Sequence, residues 1–232
     1  MLEGLRGIAG HRVEAPARFL ILGSSAPELI RNAAESLAGR VVFHELNGLA
    51  LEEISSSEVG IQKANDLWVR GGFPRAYLAT DLSACQEWRS AFIRTYLERD
   101  LPQLGFNLPA ITLRRFWTML AHYHGQTWNG SVLARSLGVS DKTVSRYLDI
   151  LEGTFMIYRL MPWHANLGKR EVKAPKIYLS DTGILHQLLG IGDYNDLLGN
   201  PKCGASWEGF IIREIIRRTK ARREEIFFWK VH

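Results

Sequence analysis

The spacing of apolar positions changes character along the chain. "ARFLILGSS" (17–25) is a continuous apolar run closed by Gly-Ser-Ser, the pattern of a buried strand entering a turn. "APELIRNAAESLAGR" (26–40) follows with helical spacing, Pro27 near its start and Gly39 just past its end. "VVFHEL" (41–46) then reads as a second strand. A strand, a helix and a strand with short connections point to part of a parallel α/β sheet. Two strands alone cannot make such a sheet, which is buried on both faces. From about residue 60 the period becomes helical. "GIQKANDLWVRGGFPRAYLAT" is broken at Gly71-Gly72 and Pro74 into two helices hinged at a turn. "LSACQEWRSAFIRTYLERDLPQL" predicts one long amphipathic helix, with Trp88, Phe92 and Tyr96 at four-residue steps on its apolar face. That row is read as core. "ITLRRFWTMLAHYHG" predicts another helix.

The next stretch, "NGSVLARSLGVSDKTVSRYLDIL" (129–151), breaks at a glycine and restarts, as two crossing helices would. Ala134 is small where the helices must approach closely, and Gly138 allows the positive φ of a tight turn. Ser140 is placed to cap the second helix, with Val144 and Leu148 as its buried anchors. Asp141, Lys142, Thr143, Ser145 and Arg146 are left exposed, and such side chains reach phosphates and base edges. With the helix before it and the strand "GTFMIYRLMPW" after it, the unit is a winged helix-turn-helix. Two uses stay open: contact with double-stranded DNA, against which Asp141 counts, or contact with protein. Further on, "KAPKIYLSDTGILHQLLG" gives a strand turning into a helix, "GNPKCGASWEGFIIREIIRRTKA" a loop and a helix, and "EEIFFWKVH" a strand. There are no internal repeats and no low-complexity linkers.

Composition narrows the class. At 232 residues and 46% hydrophobic content the chain can bury one or two cores. No apolar run nears the roughly 20 residues that span a bilayer, and the first residues lack a signal pattern. Two distant cysteines, Cys85 and Cys203, argue against a disulfide framework, so a cytoplasmic chain with no membrane contact is expected. Net charge is +5, concentrated in "GKREVKAPK" (168–176) and "IIREIIRRTKARREE" (211–225). Such clusters suit a polyanion, or else form solvated faces. Lys169, Arg170 and Lys173 of the first cluster therefore join Lys142, Thr143, Ser145 and Arg146 as candidate DNA contacts. His122 and His124 are two apart on a helix and point to different faces, while His44 and His164 have no partner at ligand spacing. No G-x-S-x-G or Cys–His signature occurs, so no metal or nucleophilic site is expected.

Several stretches together resemble one family: "RFLILGSS", "ESLAGRVVFHEL", "RGGFP", "YLERDLPQL", "LARSLGVSDKTVSRYLDILEGTFMIYRL", "NLGKREVKAPKIYLSDTGILHQLLG" and "GASWEGFIIREI". They are similar to the AAA+ ATPases of bacteria and archaea that carry a C-terminal DUF4143 domain, here truncated at both ends. The resemblance implies a remnant of a parallel-sheet ATPase core (1–58), a helical lid with winged helix-turn-helix (59–165), and an incomplete restriction-endonuclease-like α/β C-terminal domain (166–232). Intact members are expected to use ATP and magnesium. This chain has no G-x-x-x-x-G-K-[ST] and no apolar strand ending in paired acids, so neither cofactor is expected here. Ser24 or Ser25 stands where the resemblance places a nucleotide sensor, although relatives often have Thr where Leu22 is. "RGGFP" resembles the lid turn, with Arg70 as a second sensor beside Gly71, Gly72 and Pro74. Their structural alternatives are a satisfied strand end and a helix-breaking turn. Arg99 is either a trans-acting arginine in a homo-oligomer or half of an intrahelical ion pair. Glu208 matches the helical acid of the nuclease fold, or is a helix-start charge. One carboxylate cannot hold magnesium, so no catalytic residue is expected. The expected role is the DNA-binding, regulatory portion of such an ATPase, not itself an enzyme. The alternative is a protein-interaction or oligomerisation module.

Overall fold

Glycine sets the first helical corner. In the computed structural model, which describes residues 46–54, 60–163 and 174–229, a short helix α1 (Leu51–Ile54) precedes α2 (Ile61–Arg70). The chain divides into two compact units, Met1–Leu46 and Asn47–His232, and the elements named here belong to the second. Helix α2 buries Leu67, Trp68 and Val69 and stops where Gly71 takes φ 84°. Pro74 opens α3 (Pro74–Tyr77), where its missing N–H costs nothing. Asp81 caps α4 (Leu82–Thr95) by accepting from the Ala84 N–H at 2.9 Å. The helix runs on through a π-helical turn (Tyr96–Asp100) into α5 (Leu101–Gln103). The predicted aromatic row lies along it: Trp88 on Phe92 at 5.3 Å, Phe92 on Tyr96 at 6.1 Å, and Tyr96 buried against Trp117 at 5.2 Å.

The largest core cluster gathers around α6 (Ala110–His122), whose Phe116, Trp117 and Leu120 are wholly buried. Each such side chain removed from water contributes roughly 1.5–3 kcal/mol before the entropy of ordering it. Against it pack α7 (Gly130–Leu137) and α8 (Asp141–Gly153). Past a turn in which Phe155 takes φ 61°, β1 (Ile157–Pro162) pairs antiparallel with β2 (Lys176–Leu179), Tyr158 opposite Tyr178. The segment 125–128 lines the other edge of β2, with Gly125 N–H donating to Ile177 O at 2.8 Å and Trp128 N–H to Pro175 O at 2.7 Å. A helix, an edge segment, two crossing helices and an antiparallel pair is the chain order of a winged helix. After β2 come α9 (Thr182–Leu189), α10 (Tyr194–Leu198), α11 (Cys203–Thr219) and β3 (Phe227–Phe228), which joins β1 in parallel to give the order β2-β1-β3.

This corrects the expected fold class. The described residues are mostly helical with one small mixed sheet, and form neither a parallel-sheet ATPase core nor a restriction-endonuclease-like domain. The strand read in "EEIFFWKVH", within the stretch expected to form a restriction-endonuclease-like domain (166–232), instead extends the sheet that follows α8. The physical reason is register: Phe227 and Phe228 lie opposite Met161 and Pro162, so the strand bonds to a partner about 65 residues back. The strands and helix expected over 17–45 lie outside the described residues. No helix among the described residues is long and apolar enough to cross a membrane.

Candidate nucleic-acid interface

The helix pair is built as its sequence dictates. Asn129 caps α7 by accepting from the Val132 N–H, and Ser140 caps α8 by accepting from the Thr143 N–H at 3.1 Å. Between them Gly138 adopts φ 69°, ψ 33°. A Cβ there would meet nothing within 4 Å, so conformation rather than space asks for glycine. Leu133 and Ala134 of α7, and Val144, Tyr147, Leu148, Ile150 and Leu151 of α8, are buried. What faces outward on α8 is Asp141, Lys142, Ser145, Arg146 and Asp149.

Electrostatics divides that face in two. Towards the C-terminal end, Asp149 pairs with Arg159 of β1, whose Nε also reaches Glu152 Oε2 at 3.3 Å. Towards the N-terminal end, Lys142 and Arg146, with Arg135 on α7, are exposed and make no ion pair among the described residues. Ser145 is exposed beside them. Thr143 is committed, its hydroxyl 2.9 Å from Ser140 Oγ. Lys169, Arg170 and Lys173 lie outside the described residues.

The other predicted site residues go elsewhere. Ser24 and Ser25 lie outside the described residues. The "RGGFP" turn closes on "SDTG": Asp181 accepts from the Gly72 N–H at 2.7 Å and from the Ile184 N–H at 2.9 Å. A Cβ on Gly71 would sit 2.4 Å from Asp181 Oδ1, and one on Gly183 would sit 2.1 Å from Arg70 O. Those glycines thus serve backbone contact between two turns. Arg70 Nη1 donates to Tyr77 O at 3.1 Å and Ala79 O at 2.8 Å, tying down carbonyls at and just past the C-terminal end of α3. Arg99 is exposed and pairs with adjacent Asp100 at 2.9 Å. Glu208 Oε1 accepts from Lys176 Nζ and from the Tyr178 hydroxyl, each at 2.9 Å. Burial first, and the Glu208 charge second, push the Tyr178 phenol far above its ordinary range. Among the described residues no three His, Cys, Asp or Glu come together as a metal site.

Much of the second basic cluster is paired, part-buried at Arg217 and on the surface at Arg218 and Arg222. Arg217 pairs with Glu214 at 2.7 Å and donates to Leu49 O at 3.0 Å, Arg218 meets Glu52 at 3.4 Å, and Arg222 meets Glu225 at 2.8 Å. Arg213 lies over the Tyr158 ring at 5.3 Å and bonds Asn47.

Sequence reasoning missed a buried polar network. Trp68 Nε1 donates to Ser206 Oγ at 2.9 Å, and His186 sits 2.8 Å from the same oxygen through Nε2 and 3.1 Å from Val69 O through Nδ1. The carbonyl fixes Nδ1 as the protonated nitrogen, so Ser206 donates to Nε2. Arg89, 1% exposed, also donates to Val69 O at 3.0 Å. His124, buried in the turn just past α6 and its exposed last residue His122, accepts from the Leu179 N–H at 3.0 Å. Burial holds His124 down to about 3 and His186 to about 4. One signal was available: Arg89 stands four residues from both Cys85 and Ile93, on the apolar stripe of α4.

The model of a family described as a domain of unknown function, DUF8612, matches residues 61–195. Uncharacterized proteins of Mycobacterium bovis and Mycobacterium tuberculosis are each 53% identical over 215 residues, 93% of this chain and 47% of theirs. An uncharacterized protein of Haemophilus influenzae is 25% identical over 224 residues, 89% of this chain and 53% of its own. The chain thus spans about half the length of the curated relatives it matches. The crystal structure of a transcriptional regulator, 22% identical, matches 61% of this chain and all of its own with a TM-score of 0.24, too loose for anything to be carried across. These findings overturn the resemblance to AAA+ ATPases with DUF4143, and with it the expectation of an ATP-binding ancestry. "RGGFP" and "YLERDLPQL", two of the stretches behind that resemblance, fall wholly inside the span that DUF8612 matches.

Proposed function

This chain belongs to the DUF8612 family, and from that premise and the geometry of α7 and α8 we propose that it is a DNA-binding portion of a regulatory protein. The observation that carries the reading is the outer N-terminal half of α8. Lys142 and Arg146 stand there exposed and unpaired among the described residues, on a helix that follows an αL glycine turn. In this role α8 enters the major groove, Lys142 and Arg146 neutralise phosphates, and Ser145 reaches a phosphate or base edge. Lys169, Arg170 and Lys173 follow β1 in sequence and add phosphate contacts. The chain acts by binding double-stranded DNA and carries out no catalysis of its own.

Salt dependence tests this. Each phosphate contact steepens the fall of log K with log[salt] by about 0.9. Lys142→Ala with Arg146→Ala should therefore weaken binding to any duplex and flatten the slope by about 2 units, with stability changed by under about 0.5 kcal/mol. Fluorescence anisotropy on a labelled duplex across salt reads this directly, with light scattering alongside. Superimposable curves for mutant and wild type, or a mutant that changes only its oligomeric state, would sink the DNA reading.

A further inference from the structure

Four large apolar side chains stand clear of the surface at one end of the sheet. Met161 is 42% exposed, Trp163 51%, Phe227 41% and Trp229 69%. Their grouping follows from register. Phe227 lies opposite Met161 in the parallel pair, so both point to the same face. Trp163 is two residues on from Met161, and Trp229 two on from Phe227, so the alternation of a strand sends them to that face too. Trp163 is fixed there: its N–H donates to Phe228 O at 2.8 Å and its ring meets Phe227 edge-on at 5.4 Å.

The face they share is the one turned towards α8. Arg159, two residues before Met161, pairs with Asp149 and Glu152 of that helix. The chain leaves α8 through the turn at 154–156, so β1 runs back along the helix from its C-terminal end. From Arg159 to Trp163 the strand advances roughly 13 Å at about 3.3 Å per residue. From Asp149 back to Asp141 the helix covers roughly 12 Å at about 1.5 Å per residue. A strand aligned with the helix over this distance brings the aromatic patch level with the turn of α8 that carries Lys142 and Arg146.

Cations and aromatic rings side by side have a definite complement. Arg135, Lys142 and Arg146 are unpaired among the described residues and outnumber Asp141 at the N-terminal end of α8, while Arg159 offsets part of the charge of Asp149 and Glu152, so that end of the surface favours a polyanion. Bases stacked inside a duplex have no free face for an indole, but unpaired bases do, and aromatic–base stacking is tolerant of sequence. On the reading that α8 contacts duplex DNA, we infer that this protein takes DNA at a junction between duplex and single strand. Lys142 and Arg146 hold phosphates of the duplex, and Trp163 and Trp229 stack on the unpaired bases that continue from it.

The test compares one labelled duplex in blunt form with the same duplex bearing a 3′ or a 5′ single-stranded extension, by anisotropy, for wild type and for Trp163→Ala with Trp229→Ala. Stacking of even one base is worth at least about fivefold in affinity. Wild type should prefer one extended probe by that factor or more. The double variant should bind blunt DNA unchanged and lose the preference, and the extension should quench wild-type tryptophan emission. Should the alanine variant misfold, Trp163→Phe with Trp229→Phe keeps the stacking faces and should retain part of the preference, with the quenching of wild type as the second readout. Equal affinity of wild type for blunt and extended probes overturns the inference and leaves the duplex reading standing. Failure to bind any probe removes both. An intact preference in the variant, or a variant that instead changes its oligomeric state by light scattering, assigns the patch to protein contact and overturns the inference.

Discussion

Lowering the pH from 7.5 to 5 should destabilise this protein well before its carboxylates are protonated. His124 and His186 are 1% and 0% exposed, and burial holds them to about 3 and about 4 against an ordinary 6.5. The folded state therefore keeps both rings neutral at pH 5, while the unfolded chain protonates them. The unfolded state binds more protons, so stability present above about pH 6.5 is lost as pH falls towards the folded values. At pH 5 each unfolded histidine lies about 1.5 units below its pKa, which at about 1.36 kcal/mol per unit is roughly 2 kcal/mol. The pair then costs at most about 4 kcal/mol, because His186 is itself among the charges that hold His124 down. Against a typical total of about 5–15 kcal/mol that is a large fraction. Asp81 and Glu225, whose carboxyls backbone hydrogen bonds hold below the ordinary range, act only below about pH 4. Asp181, raised by burial, works in the opposite sense and trims the loss at the acid end. Urea unfolding followed by circular dichroism at pH 7.5, 6.5, 5.5 and 5.0 gives the curve, and ring-proton NMR gives the titrations. A midpoint that stays flat to pH 5, or a His186 ring that titrates near 6.5 in the folded protein, would refute the reasoning.

Two further outcomes follow from the packing. Gly183→Ala places a Cβ 2.1 Å from the Arg70 carbonyl oxygen, and only backbone movement between α2 and α9 can relieve it. A loss of roughly 2–3 kcal/mol is expected in chemical denaturation, and an unchanged midpoint would mean the two turns do not touch as described. Among the described residues Arg89 bonds only Val69 O, its Nε and Nη2 have no partner there, and His186 still serves that carbonyl when the arginine is gone. Arg89→Met should therefore leave the midpoint unchanged or raise it, and a loss above about 2 kcal/mol would show that the guanidinium is paired.

What could be read from the chain tracks how local the cause is. The turn at Gly138, the cap at Ser140 and the buried Ala134, Val144 and Leu148 depend on neighbours within a few residues, and all were legible. The strand before Trp163 and the one at Lys176–Leu179 were legible from their apolar spacing, but their partners were not. Phe227 pairs with Met161 only because α9, α10 and α11 return the chain to the same place, and no local pattern encodes that. The same applies to charge. The run at 211–225 reads as a free basic surface until Glu52, Leu49 and Asn47, far away in sequence, are seen to meet Arg218, Arg217 and Arg213. "RGGFP" misled for a related reason. A glycine pair before a proline signals close backbone approach, yet the sequence does not say whether the approaching group is a ligand or, as here, Asp181.

The three-stranded sheet has a consequence for modularity. The helix pair and β1 lie within residues 130–162, but the strands on either side of β1 come from 176–179 and 227–228. Cut out alone, that stretch would expose two raw strand edges and the apolar face that Tyr178 and Phe228 now cover. It is therefore no portable cassette. Its sheet and its apolar face are completed only by β2, β3 and α11, so the unit and the C-terminal segment are expected to fold together.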